Sequence, residues 1–248
     1  MNKIELRIIL ILFILFVSII SYSIQQRDRF VFTQLKYDGD WNPYPYVYQD
    51  IYSFITLTTS IKMLPEPRIV TLKDKQIFYS PFIIMLNNGT FNGFKEEERE
   101  ILLRYLNNGG ILFIEDSSGQ KNSKFNTQIR KELSILYPDK KLTKIENSHA
   151  IYKSFYLIQN VSGRRIINSY LEGLDISNRT AIIYSQNDIL GAWARDKFGN
   201  YFYECIPGGD KQRFDAQKLF INIIIYSVTG TYKTDIIHKP FIDQRLNR

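Results

Sequence analysis

The residues best suited to chemistry come directly after an apolar run near the middle of the chain. Residues 111–114 are wholly apolar, and the chain then continues through Glu115 into Asp116, Ser117 and Ser118. A serine hydroxyl at a strand-to-helix turn can act as a nucleophile if a base lies within hydrogen-bond reach, and backbone N–H groups there can stabilise an oxyanion. His149 is the base that the sequence offers. This set predicts a hydrolase or amidase acting on an amide or ester.

The same residues have a structural interpretation, and the sequence favours it. Serine readily caps helices and bonds the nearby backbone, so Ser117 and Ser118 could simply begin the next helix. No Gly-x-Ser-x-Gly elbow is present. A single serine and a single histidine in different segments rarely form a catalytic pair. The hydrolase therefore stays as the alternative, with Asp116 or Asp188 as the orienting acid.

Other polar turns follow predicted strands and supply further candidate ligand-binding residues. These are Asp38, Asp40, Trp41, Asn87, Asn88 and Asp188. Aspartates can hold Ca²⁺ or Mg²⁺, but they also bond the backbone of their own turns, and no loop here has the ligand spacing of an EF-hand. We therefore predict no metal site and no cofactor. Trp41 could stack on a sugar or simply pack at the sheet edge.

The elements that must position these residues alternate between strand and helix. Residues 30–37, 68–72, 82–86, 111–114 and 179–185 read as strands, and residues 46–62, 95–107, 123–137 and 210–228 read as helices. The apolar runs 82–86 and 111–114 suit strands that are buried on both faces. This order predicts an α/β three-layer sandwich with a mostly parallel central sheet, flavodoxin-like in type. Turns after parallel strands meet at one edge, so the candidate residues should line one ligand crevice.

The amino-terminal segment has the pattern of an export signal. Lys3 and Arg7 precede an uncharged apolar run over residues 8–24. This pattern predicts either a cleaved signal peptide over residues 1–25 or a hydrophobic helix that anchors the chain in a membrane. Both interpretations predict that the rest of the chain lies in the cell envelope, in the periplasm or another extracytoplasmic compartment. Residues 26–230 then form a single domain, and residues 231–248 form a basic tail.

Composition narrows the function classes further. The 248 residues carry a formal net charge of +7 and a single cysteine, Cys205. One cysteine permits no intramolecular disulfide and no multi-cysteine zinc site. The positive charge is spread along the chain without a recognition helix or an aromatic ribonucleoprotein motif, so we predict no nucleic-acid binding.

Several separated motifs resemble one family. The stretch 34–43, the helix pattern from Glu98 to Gly110, the segment 149–156 and the spacing from Asn222 to Tyr226 are similar, in this order, to the domain-of-unknown-function 4159 family. The resemblance covers residues 29–229. It implies a fold like that of class I glutamine amidotransferases, a setting in bacterial envelope proteins and no assigned activity.

One departure from the family pattern bears on catalysis. Family members often carry cysteine where this chain has Ser117 and Ser118, so the resemblance carries no cysteine nucleophile over to this sequence. We therefore expect an exported or membrane-anchored module without catalytic activity, which binds a small ligand or an envelope protein partner at the strand-end crevice. A further possibility is that the protein is a subunit of a larger membrane assembly, and in that case we expect an exposed apolar patch away from the crevice.

Overall fold

A computed structural model describes residues 29–229, which fold around one seven-stranded sheet. The strands, in chain order, are β1 Thr33–Leu35, β2 Arg68–Val70, β3 Phe82–Asn87, β4 Ile111–Asp116, β5 Thr143–Lys144, β6 Glu172–Ile176 and β7 Arg179–Ser185. They lie in the order β2-β1-β3-β4-β7-β6-β5. Strands β1 to β4 and β7 are parallel, whereas β6 pairs antiparallel with β7 and β5 pairs antiparallel with β6. The predicted α/β architecture with a mostly parallel sheet is confirmed.

Helices cover both faces of the sheet and make it the middle of three layers. They are α1 Val47–Thr58, α2 Glu96–Asn107, α3 Lys124–Leu136 and α4 Gly209–Thr229. The apolar face of α1 and most of α4 pack on the face that carries Phe113, while α2 and α3 pack on the face that carries Leu112. Because side chains alternate along a strand, the wholly apolar run of β4 supplies both cores.

Local signals explain where the helices on the second face begin and end. The backbone N–H of Lys95 donates to Glu98 Oε2 at 2.8 Å at the start of α2. Ser123 caps α3 by accepting a hydrogen bond from the N–H of Asn126 at 2.8 Å. Gly109 has φ +105°, which provides the left-handed exit from α2 toward β4.

The β6–β7 hairpin is the element that the sequence did not predict. Its two turn residues, Ser177 and Asn178, have φ +51° and +63°, as a tight hairpin turn requires. Glycine, the usual second residue of such a turn, is absent from these two positions, so the sequence carries no recognisable hairpin signal. The region 141–173 instead contains the two-residue β5 and a short 3₁₀ turn, Ala150–Tyr152.

The parallel strands give the domain two distinct edges. We call the edge at which β1, β3, β4 and β7 end the carboxyl edge, and the opposite one the amino edge. Helix α4 begins at the carboxyl edge and, at 21 residues, extends about 32 Å toward the amino edge. The predicted leader over residues 1–25 and the tail over residues 231–248 lie outside the described residues. Within residues 29–229, no helix is both long enough and apolar enough to cross a membrane.

Candidate functional site

The polar turns after β3, β4 and β7 lie side by side at the carboxyl edge, as the sequence predicted. Asn87 pairs with Asp116 in the β3–β4 register, and Glu115 pairs with Ser185 in the β4–β7 register. The backbone N–H of Ser117 donates to the carbonyl of Asn87 at 2.7 Å, so adjacent turns are bonded to each other. Asn87, Asp116 and Asp188 are fully buried. The edge is therefore closed by the protein's own contacts at these positions.

The turns after β1 and β3 use their polar residues to hold each other. Asp40 Oδ2 accepts hydrogen bonds from the backbone N–H of Thr90 at 2.7 Å and from its hydroxyl at 3.1 Å. Asn87 donates to Tyr37 Oη and to the Thr90 carbonyl, both at 2.8 Å. These contacts favour the turn-forming interpretation over a cation site.

The remaining candidates of these two turns are more exposed. Asp38 and Asn88 are exposed, and Trp41 is half-buried. Lys36 Nζ lies 5.8 Å from the centre of the Trp41 ring, and the Trp41 carbonyl accepts a hydrogen bond from Gln34 Nε2 at 2.8 Å. Trp41 thus packs against the end of its own strand and keeps one side open.

Asp116 organises the turn that joins β4 to α3. One carboxylate oxygen accepts a hydrogen bond from the Ser118 N–H at 3.0 Å, and the other accepts one from the Ser123 hydroxyl. Ser118 Oγ accepts from the N–H of Gln120 at 3.3 Å. Asp116 and Ser118 therefore act as turn residues. Ser117 Oγ is buried and has no hydrogen-bond partner among the residues of the described domain.

Asp188 is the centre of a buried charged cluster. It has φ +56° and accepts hydrogen bonds from Tyr44 Oη at 2.8 and 2.9 Å and from the N–H of Gly191 at 3.1 Å. Its carboxylate also forms an ion pair with Arg164 Nε. Burial raises the pKa of Asp188 to about 6, and the positive charge of Arg164 limits that rise. A side chain at position 191 would overlap this carboxylate, which explains the glycine there.

Glu115 is a further buried acid that was not among the predicted site residues. Its two carboxylate oxygens accept hydrogen bonds from the backbone N–H groups of Ile189 and Leu190, the latter at 2.8 Å. Burial, and then the nearby charge of Asp188, raise the pKa of Glu115 well above its usual range. The detectable signal was a glutamate at the end of an otherwise apolar central strand. We call Glu115, Asp188, Arg164 and Tyr44 the acid cluster.

An exposed aromatic surface adjoins the acid cluster. The Arg164 guanidinium lies 5.0 Å from the centre of the Tyr203 ring, and the Tyr44 and Tyr203 rings are 6.1 Å apart. Tyr203 is 40% exposed, Phe202 is 61% exposed and Ile206 is 42% exposed. We define the aromatic surface as these three residues, Phe202, Tyr203 and Ile206. No motif in the sequence pointed to it, because its residues belong to an irregular segment before α4.

The model of the family described as "Domain of unknown function (DUF4159)" matches residues 31–228. The chain belongs to this family. No curated protein matches the chain in sequence.

Among solved structures, the DUF4159 chain is similar to one entitled "mmIFT52 N-terminal domain". The two share 12% sequence identity with a TM-score of 0.40, over 80% of this chain and 97% of that one. The likeness to class I glutamine amidotransferases stays a prediction.

Family motifs in the second half of the DUF4159 chain explain a packing contact rather than a catalytic one. Asn222 Oδ1 accepts hydrogen bonds from the N–H groups of Phe155 at 3.2 Å and Tyr156 at 2.8 Å, and its amide donates to the Tyr156 carbonyl at 2.8 Å. The ring centres of His149 and Tyr226 are 5.2 Å apart. These residues fasten the irregular segment after β5 to α4.

The pairing of His149 with Ser117 or Ser118 is wrong, because His149 lies toward the opposite edge of the sheet. His149 Nε2 is 3.2 Å from Thr180 Oγ1, and Nδ1 accepts a hydrogen bond from the N–H of Ile151. Thr180 is next to the start of β7, whereas Ser185, the β7 partner of Glu115, ends that strand. These two positions are five residues apart along β7, which corresponds to about 16 Å. The structure thus gives neither serine the predicted base.

Metal ligands are not grouped in the part of the chain that the structure describes. No set of three or more His, Cys, Asp or Glu side chains within residues 29–229 has a metal-binding arrangement. Asp40 is bonded to Thr90, Asp116 to Ser118 and Ser123, and Asp188 to Arg164 and Tyr44. Cys205 is buried, and burial raises the pKa of its thiol, which disfavours the reactive thiolate.

Proposed function

We propose that this domain is a non-catalytic binding or assembly module of the cell envelope, which recognises a protein partner at its carboxyl edge. The observation that carries the proposal is the placement of the aromatic surface over the buried acid cluster. Arg164 joins the two, because it pairs with Asp188 on one side and lies over the Tyr203 ring on the other. Exposed aromatic side chains held by such buried contacts are suited to binding.

The bonding of the acid cluster favours a supporting role over acid–base catalysis. Both carboxylate oxygens of Glu115 accept backbone N–H groups, and both oxygens of Asp188 accept the Tyr44 hydroxyl. Neither acid is exposed. A general acid or base must come within hydrogen-bond reach of a substrate. The cluster instead fixes the turn after β7 and, through Arg164, the segment that carries the aromatic surface.

A protein partner suits the aromatic surface better than a small molecule does. Small ligands occupy concave pockets that bury most of their surface, whereas protein partners engage exposed aromatic and arginine anchors. Phe202 and Ile206 project from the edge with more than two fifths of their surface exposed. The side chain of Gln212 fixes the segment that carries the aromatic surface. Its amide donates hydrogen bonds to the carbonyls of Gly163 at 2.7 Å and Ile206 at 3.0 Å.

The sequence of residues 1–25 supports the proposed setting in the cell envelope. The basic start and the uncharged run over residues 8–24 support export or anchoring. The absence of any possible intramolecular disulfide is compatible with a bacterial envelope.

Site-specific photo-crosslinking in living cells tests the proposal. A photoreactive phenylalanine analogue would replace Phe202, and in a matched control it would replace Tyr79, which is 80% exposed at the amino edge. We expect a discrete crosslinked protein band from position 202 and not from position 79. Equal or absent bands from the two positions would contradict partner binding at the carboxyl edge.

A further inference from the structure

The amino edge contains a large cavity that the proposed function does not use. Its volume is about 1150 Å³, and residues from the starts of β1, β2 and β3 and from the end of α4 line it. Ser80, which precedes β3, is buried in its wall and bonds Thr33 Oγ1 at 2.8 Å. The cavity is thus framed by the sheet and lies at the opposite edge from the aromatic surface.

The described residues that line the cavity give it a positive charge. Arg29, Lys62 and Arg68 all line it, and no aspartate or glutamate within residues 29–229 does. None of these three cations forms an ion pair with a carboxylate within the described part of the chain. Arg68 Nη1 donates to Ser80 Oγ at 3.2 Å, which holds the guanidinium at the wall and leaves its other N–H groups for an anion. Such a lining favours a phosphate-bearing group.

We propose that this cavity binds the phosphate headgroup of an anionic lipid. The uncharged run over residues 8–24 ends five residues before Arg29, a lining residue, so a membrane that holds that run would lie next to the cavity. Tyr79, at 80% exposure, also lines the cavity, and tyrosine favours the headgroup level of a bilayer. Basic residues near a membrane surface are attracted to anionic lipids.

The remaining segments of this chain are less suitable occupants. The segment before Arg29 contains Lys3, Arg7 and Arg27 against Glu5 and Asp28. The segment after Thr229 contains four basic residues against two acidic ones, Asp235 and Asp243. Both segments are net positive, so neither complements a cavity lined by three cations. A lipid headgroup supplies the negative charge that they lack.

This proposal orients the domain relative to a membrane. With the amino edge at the headgroups, the aromatic surface would face away from the lipid, about 30 Å further out, because α4 extends between the two edges. A partner could then reach the carboxyl edge without competing with the membrane. The two proposals use different edges and can fail separately.

A titration of the full chain with short-chain lipids tests the proposal. The chain would be held in a nonionic detergent and titrated with dihexanoyl phosphatidylglycerol, with dihexanoyl phosphatidylcholine or with inorganic phosphate, while thermal unfolding is followed. We expect phosphatidylglycerol to raise Tm in a saturable manner, and phosphatidylcholine and inorganic phosphate to have much smaller effects. The Arg68→Gln variant should bind phosphatidylglycerol on the order of tenfold more weakly, because one charge-assisted hydrogen bond is lost.

A charge-matched control separates a specific site from general attraction. The Lys140→Gln variant removes one exposed positive charge from the connection between α3 and β5 and should keep the wild-type affinity. Equal affinities of wild type and the Arg29→Gln/Lys62→Gln/Arg68→Gln triple variant would overturn the proposal, as would the absence of any wild-type response. An equal response to inorganic phosphate would overturn the lipid assignment.

Discussion

The hydroxyl of Tyr44 donates a hydrogen bond to Asp188 at 2.8 Å and so joins the segment just before α1 to the turn after β7. The two residues are 144 positions apart in the chain. Asp188 in turn pairs with Arg164, whose guanidinium lies over Tyr203. This series of contacts connects the buried end of the sheet to the aromatic surface. Single substitutions in it should therefore change the free energy of unfolding of the domain.

Removing the Tyr44 hydroxyl should destabilise the domain without changing its shape. The Tyr44→Phe variant keeps the ring and loses a hydrogen bond to a buried carboxylate, so we expect the free energy of unfolding to fall by about 2 kcal/mol. Urea unfolding monitored by circular dichroism measures this. The control is Tyr46→Phe, because Tyr46 is 69% exposed and its hydroxyl should contribute little. Equal losses from the two variants would contradict the role given to Tyr44.

Glu115 should stabilise the fold mainly because its carboxylate accepts two backbone hydrogen bonds, and less because it is charged. In the Glu115→Gln variant the amide nitrogen cannot accept a hydrogen bond, so either the Ile189 or the Leu190 N–H loses its partner. We expect a loss of about 1–3 kcal/mol, measured by the same unfolding assay. A more stable Glu115→Gln protein would show that removing a buried charge outweighs the lost acceptor.

The raised pKa of Asp188 predicts a stability that depends on pH. Because the folded pKa of about 6 lies above the unfolded value, the folded state holds its proton more tightly. Its contribution is complete below the unfolded pKa, near 4, and is lost as pH rises through about 6. The loss is at most about 3 kcal/mol at 1.4 kcal/mol per pKa unit. Glu115 changes stability in the same direction, because burial also raises its pKa.

The Asp188→Asn variant provides the test of this pH dependence. Asparagine does not titrate, so the change in unfolding free energy between pH 4 and pH 7 should become smaller than in wild type. Urea midpoints at several pH values would measure it. A profile of the variant parallel to that of wild type would show that other groups cause the dependence.

Asn222 should contribute strongly to stability although it lies far from the carboxyl-edge turns. Truncation to alanine leaves the Phe155 and Tyr156 N–H groups without their acceptor, so the Asn222→Ala variant should lose about 2–4 kcal/mol. The matched control is Asn92→Ala at an exposed position, which should stay within about 0.5 kcal/mol of wild type. Similar unfolding midpoints for the two variants would exclude the fastening role of Asn222.

The central sheet could be predicted because its strands are buried on both faces. β3 and β4 are apolar over most of their length, and the polar turns that follow them lie at one edge as the parallel arrangement requires. The same reasoning placed Asp116 and Asp188 on one edge. It did not identify Glu115, because this acid was assigned to the polar turn after residues 111–114 and not to the buried end of the strand.

The irregular parts could not be predicted because buried side chains replace regular backbone pairing there. Asn187 Oδ1 accepts hydrogen bonds from the N–H groups of Ile167 at 2.8 Å and Asn168 at 2.9 Å, much as Asn222 does for the segment 155–156. Such contacts join residues about 20 or more positions apart and leave no periodicity in the sequence. For the same reason, the position of His149 near the start of β7 could not be read from its neighbours in the chain.

Crosslinking from Ile206 in the presence of a second substitution is the most direct test of partner binding at the carboxyl edge. A photoreactive analogue at position 206 would be combined with Phe202→Ser, or with Phe198→Ser as the control, since Phe198 is 78% exposed and lies outside the aromatic surface. We expect the partner band to weaken on the order of tenfold or more with Phe202→Ser and to persist with Phe198→Ser. No band from position 206, or a band that Phe202→Ser leaves unchanged, would contradict the account.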